Sequence, residues 1–172
     1  MILAGVLLKL GAYGFIRLVI PLFPGQATAT AGILATLGML SIVLGAFAAF
    51  GQWDFKRLVA YSSVNHMGFV VLGIAVMAYA YGLPGQVEGL NYNAIIATNG
   101  AVMQMFNHGL SAAGMFFLVG VIYSRTHTRD LKQYGGIWAV LPVYGMILIF
   151  TSMASLGLPG LNGFVGEFLV TR

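Results

Sequence analysis

Four ionisable side chains lie deep inside apolar sequence: Lys9, His66, His108 and Glu167. Facing lipid, each would cost several kcal/mol, so each must face a partner or water. Lys9 stands in "GVLLKLGAYG" (5–14), about nine residues into its apolar run. At 1.5 Å per residue that is ~13 Å, close to the midplane of a bilayer. A lysine so placed is able to exchange a proton as well as carry charge. The alternative is a helix-end lysine whose ammonium snorkels to the surface.

His66 lies in "YSSVNHMG" (61–68), with Ser62 and Ser63 four and three residues earlier on the same helical face. His108 lies in "QMFNHGLSAAG" (104–114), with Gln104 four residues before it and Ser111 three after. Imidazole titrates near neutrality and has two ring nitrogens, so it can hand a proton along a water chain. A hydrogen-bonded packing histidine is the plainer reading of either one alone. Two such stripes, with a lysine and a carboxylate, favour a proton relay.

Glu167 is the one carboxylate of "LPGLNGFVGEF" (158–168), and it follows "ASLGLPGLNG" (154–163), which holds three glycines and a proline. Those residues break a helix. Breaks at membrane depth are tolerated only where they are buried in protein or line a wet cavity, and in transporters they often mark ion sites. The alternative role for Glu167 is a structural ion pair with a basic residue of a neighbouring helix. No metal site is expected, because there is no close histidine pair on one helix and no cysteine. There is no nucleophile–base pair, phosphate loop or dinucleotide fingerprint either. The chain offers proton carriers and nothing that moves electrons.

The elements that position these residues are membrane helices. Of 172 residues, 59% are hydrophobic and only 7% charged, against roughly 25% charged in a soluble domain. Such a chain must sit in lipid. Its formal charge of +4 reads as loop topology and not as nucleic-acid binding. Five apolar stretches, 1–23, 31–50, 58–81, 94–123 and 137–172, are each long enough to span, the last with a break near 157–163. "PLFPGQ" (21–26), "YGLPGQVEG" (81–89) and "SRTHTRDLKQYGG" (124–136) punctuate them. The apolar runs lack a period of two, and helices satisfy their own backbone in lipid, so strands are not expected. No short-period repeat is present. The ends read as those of a fragment of a longer chain.

Lys56 and Arg57 precede the third stretch, and Arg125, Arg129 and Lys132 precede the fifth; the other side offers Glu88 and little else. The positive-inside rule places the basic loops in the cytoplasm, so the first helix runs outward. Arg17, near its outer end, is the exception and can snorkel or pair. Trp53 and Trp138 suit interfacial anchoring, and the fourth helix is long enough to tilt or protrude.

"LAGVLLKLGAYGFIRL", "DFKRLVAYSSVNHMGF", "FNHGLSAAGMFFLVGVIYSRTHTRDL", "YGGIW" and "LGLPGLNGFVGEF", in that order, resemble the antiporter-like membrane subunits of respiratory complex I. The resemblance covers essentially the whole chain. In the L and N branches of that family, and in many cation/proton antiporter subunits, lysine follows the break. The M branch, chain 4 in mitochondria, has glutamate there, as here at Glu167.

The resemblance implies an all-α polytopic membrane bundle with one broken helix, part of an inverted-repeat antiporter-like fold of about fourteen helices. This chain would correspond to about the eighth to the twelfth. Lys9 would be the connecting relay lysine, His66 and His108 central relay histidines in an order left open, and Glu167 the proton-exit carboxylate. An input-side glutamate and a central lysine would lie upstream of Met1, so this segment alone is not expected to pump. The implied activity is proton translocation by NADH–quinone oxidoreductase, driven by redox chemistry elsewhere. No cofactor would sit on this chain; FMN, iron–sulfur clusters and quinone would belong to partner subunits. Neighbouring antiporter-like chains, lipid, protons and water would be its partners, with no nucleic acid, in a bacterial inner or plasma membrane. Three alternatives stand beside this: a subunit of a multi-subunit cation/proton antiporter, a membrane-bound hydrogenase relative, and a non-pumping structural subunit.

Overall fold

The computed structural model describes residues 2–81 and 91–172. Met1 and residues 82–90, which hold most of the turn read at 81–89 and its Glu88, lie outside the described residues. Four helices are long and apolar enough to cross a membrane: α1 (Ala4–Leu22), α2 (Pro24–Phe50), α3 (Phe55–Tyr81) and α4 (Tyr92–Thr126). Three shorter ones follow, α5 (Ile137–Val140), α6 (Pro142–Ser155) and α7 (Asn162–Thr171). No strand forms among the described residues. Helix α1 carries two wider, π-helical stretches, Leu3–Leu7 and Phe15–Val19, on either side of Lys9 and its neighbours.

Two boundaries differ from the sequence reading, and both involve proline. Helix α2 starts at Pro24 instead of residue 31, and the chain bends only at Phe23 (φ −131°). A proline at the first helical position lacks an N–H that would be unsatisfied anyway, so it opens a helix well. In the fifth stretch a second interruption appears at Leu141 (φ −131°), just before Pro142. The residue before proline is pushed out of helical conformation by the ring. The main break runs over 156–161, with Gly157 at φ +68° and Gly160 at φ +95°.

Helices α2 and α3 form an antiparallel hairpin along a seam of small residues. The buried residues of α2 are Ala27, Ala31, Gly38 and Gly45, three of them at seven-residue spacing on one face. A Cβ on Gly45 would stand 2.9 Å from the Asn65 backbone nitrogen, and one on Gly68 2.9 Å from the Gly38 carbonyl oxygen. Small residues let backbones approach closely, and close packing is what holds helices together in lipid. Most large side chains of α2 point away from the seam; Phe47 is 72% exposed and Phe50 93%, as suits a lipid-facing surface.

Helix α4 has 35 residues, about 52 Å of rise against ~30 Å of hydrocarbon, so it must tilt or protrude. The Asn91 side chain caps its start by accepting from Asn93 N–H, and His127 in left-handed conformation (φ 53°) ends it. At the basic end the two loops clasp: Phe55 N–H donates to the Arg129 carbonyl and Leu131 N–H to that of Trp53, each over 2.9 Å. Asp54 Oδ1 accepts from Arg57 N–H over 3.0 Å, capping α3.

The buried apolar side chains fall into two clusters. One joins Val70 and Ile74 of α3 and Ala101 of α4 to Ile20, Ala31 and Val170. The other joins Phe55 and Val59 of α3 to Met115, Leu118 and Tyr144. Between them, along both α3 and α4, lies a polar layer of Ser63, His66, Gln104, Asn107 and His108.

Candidate functional site

That layer collects all four ionisable residues singled out in the sequence. Each comes from a different place in the chain: Lys9 from α1, His66 from α3, His108 from α4 and Glu167 from α7. Lys9 Nζ stands 2.7 Å from His108 Nδ1 and also donates to the Ala4 carbonyl of its own helix. An ammonium group only donates, so with Lys9 charged His108 Nδ1 accepts and its proton rides on Nε2. His108 is 3% exposed. Its ring centroid lies 5.3 Å from that of His66, tilted by 38°, with no direct hydrogen bond between the rings. His66 Nδ1 then meets Glu167 Oε1 at 2.9 Å. An ionised carboxylate only accepts, so His66 donates through Nδ1 whenever Glu167 is charged. The row reads Lys9, His108, His66, Glu167.

Each end of the row lines a cavity, while His108 lines neither. Lys9 lines a groove of about 660 Å³ between α1 and α4, otherwise apolar apart from Tyr13. His66 and Glu167 line another of about 570 Å³, shared with Ser62, Asn65, Ser152 and Ser155. Among the described residues no three His, Asp or Glu side chains converge to hold a metal ion.

The serine stripes do something other than the sequence suggested. Ser62 and Ser63 both donate to the Val59 carbonyl, and Ser111 to the His108 carbonyl. They satisfy their own helix backbones and leave the imidazoles to partners on other helices. Gln104 likewise turns from His108 to Glu167, donating Nε2 to Oε1 over 3.0 Å. Glu167 finds His66 as its basic partner, and no lysine or arginine among the described residues bridges it. Arg17 is exposed and lies outside the layer.

The helix break places Glu167. Turning at Gly157 and Gly160, the chain re-enters helix at Asn162, so that Glu167 points back at α3 and α4. The fit is tight: a Cβ on Gly157 would stand 2.6 Å from Glu167 Oε2. Two asparagines fix the re-entry point. Asn107 Nδ2 donates to the Asn162 carbonyl over 2.6 Å, and Asn162 Nδ2 to the Asn107 carbonyl over 3.4 Å. The sequence reading passed over this pair. Its only signals were an asparagine beside His108 and another ending "LPGLN".

The family described as "NADH:quinone oxidoreductase/Mrp antiporter, TM" matches residues 1–172. The chain is 48% identical over 168 residues to NADH-quinone oxidoreductase subunit M of Pseudomonas aeruginosa, covering 98% of this chain and 30% of that one. It is 44% identical to the Escherichia coli subunit M over the same shares. It is 48% identical over 170 residues to an NAD(P)H-quinone oxidoreductase chain 4 of Microcystis aeruginosa, covering 99% of this chain and 28% of that one. It also resembles a chain of respiratory complex I from Thermus thermophilus with bound NADH, at a TM-score of 0.82 and 33% identity, over 94% of this chain and 31% of that chain. The chain thus spans about a third of the length of the relatives it matches.

Proposed function

The chain belongs to the NADH:quinone oxidoreductase/Mrp antiporter transmembrane family, and from that membership we propose that it is the part of a proton-translocating subunit of NADH–quinone oxidoreductase that carries protons from Lys9 through His108 and His66 to Glu167. The observation that carries this reading is the pair of contacts at the ends of the row, 2.7 Å at Lys9–His108 and 2.9 Å at His66–Glu167. Two hydrogen-bonded couples face each other across tilted imidazoles inside an apolar bundle. No hydrogen bond joins the two rings, so transfer between them would require a ring rotation or a bridging water.

The driving force is electrostatic. A charge change at one site alters its neighbour strongly where the dielectric is low. Redox chemistry in partner subunits, which would hold the FMN, iron–sulfur clusters and quinone, supplies the first change. It propagates along the row as each carrier gains or loses a proton. Neighbouring antiporter-like chains pass it on. The basic loops of Lys56, Arg57, Arg125, Arg129 and Lys132 face the cytoplasm of a bacterial cell.

A cation/proton antiporter role is the second reading, because the family's description names both activities. The carboxylate after the break and the names of the similar relatives favour the oxidoreductase. The deciding experiment is Glu167→Gln in the full-length subunit, with proton translocation measured against NADH oxidation in the assembled complex. Translocation is abolished or sharply reduced. Normal stoichiometry would remove Glu167 from the relay. Loss of complex stability with normal coupling would make the row a scaffold.

A further inference from the structure

The relay as described leaves one deeply buried polar side chain without a part in it. Gln104 is 1% exposed and sits where α4 meets α7, beside both His66 and Glu167. Its Nε2 lies 3.0 Å from Glu167 Oε1 and 3.5 Å from His66 Nδ1. Its Oε1 has no hydrogen-bond partner and is pressed against α7, where a Cβ on Gly166 would stand 2.5 Å from it. An orphaned buried acceptor is costly, and packing alone never requires one. Methionine or leucine would fill the space without it. What the amide adds is at its other end, on the carboxylate.

The orientation of that amide is tied to the proton on Glu167. As it stands, N–H faces a carboxylate oxygen. Reversed, it would set two acceptor oxygens 3.0 Å apart, which is tolerable only when the carboxyl carries a proton to donate. The same side chain can thus serve both states of Glu167 by a half-turn of its last torsion, with the oxygen that is now unpartnered accepting from the acid.

We propose that Gln104 is a positioning residue of the relay, holding Glu167 Oε1 toward His66 through its amide in both protonation states. This rests on the relay reading above. The test uses the full-length subunit in the assembled complex with Gln104→Met, which keeps length and volume and removes the amide. Gln104→Leu is the second variant should the first fail to assemble. The readout is the C=O stretching band of protonated Glu167 in pH-induced infrared difference spectra, assigned by its disappearance in Glu167→Gln. Without the amide the band moves to higher wavenumber, and protons translocated per NADH oxidised fall several-fold. An unmoved band with unchanged translocation overturns the role of Gln104, while a pumping defect in Glu167→Gln leaves the relay intact. Normal pumping in Glu167→Gln overturns the relay and this role together.

Discussion

His66 Nδ1 and Glu167 Oε1 lie 2.9 Å apart although 101 positions separate them in the chain. The contact depends on the helix break, which lets α7 aim its carboxylate back into the bundle. It also depends on length. Glu167→Asp keeps the charge and withdraws it by about one bond length, ~1.5 Å, beyond hydrogen-bond reach of the imidazole. The expected outcome in the full-length complex is a several-fold loss of proton translocation at retained assembly, measured by acidification of vesicles during NADH oxidation. Undiminished translocation would mean that charge at this position suffices and the contact does not matter.

Lys9 offers a sharper separation of charge from proton transfer. Its ammonium stands 2.7 Å from His108 Nδ1. Lys9→Arg keeps a cation and hydrogen-bond donors there, but a guanidinium does not give up its proton in a protein. If Lys9 exchanges protons, the arginine variant pumps no better than Lys9→Ala. If Lys9 serves only as a fixed charge, arginine restores translocation that alanine loses. The first result is expected, read from stoichiometry in parallel assays of the two variants.

The candidate residues were legible because an ionisable group inside an apolar run is costly in lipid and must find a partner or water. Lys9, His66, His108 and Glu167 stand out by type and depth alone. Their order did not, because spacing along one helix says nothing about which face of another helix it meets. Ser62, Ser63 and Ser111 mislead for the same reason: hydroxyls within a turn of a histidine bond more readily to their own backbone. The start of α2 was misplaced because Pro24 resembles a turn former and is equally a good first helical residue. Asn107 and Asn162 were unreadable as a pair, since only the fold brings "FNHG" to "LPGLN".

That asparagine pair carries a prediction of its own. Asn107 is 5% exposed and its amide holds the first residue of α7 over 2.6 Å. Asn107→Leu leaves the Asn162 carbonyl without this donor, at a cost of about 1–3 kcal/mol. The break should open locally more often. Hydrogen–deuterium exchange of the assembled complex should show faster labelling over 156–166, while the α2–α3 hairpin stays unchanged. Equal labelling in both segments would show that the pair does not hold the break.

The α2–α3 seam gives a control within one hairpin. A Cβ on Gly68 would meet the Gly38 carbonyl oxygen and the Ile42 nitrogen at 2.9 Å and Ile42 Cγ1 at 2.8 Å, whereas one on Gly32 would meet nothing within 4 Å. Two of the Gly68 neighbours are backbone atoms, which cannot turn aside as a side-chain end can. Gly68→Ala must therefore push the helices apart, at about 1–3 kcal/mol for an overpacked contact. Gly32→Ala has no such conflict, and replacing a glycine in a helix stabilises it by up to about 1 kcal/mol. Thermal dissociation of the complex, followed on native gels, should occur at lower temperature for Gly68→Ala and at an equal or higher one for Gly32→Ala. Because α3 also carries His66, widening this seam should lower proton translocation as well, without touching any side chain of the proposed relay. Identical behaviour of the two variants would mean that the seam is looser than its backbone distances require.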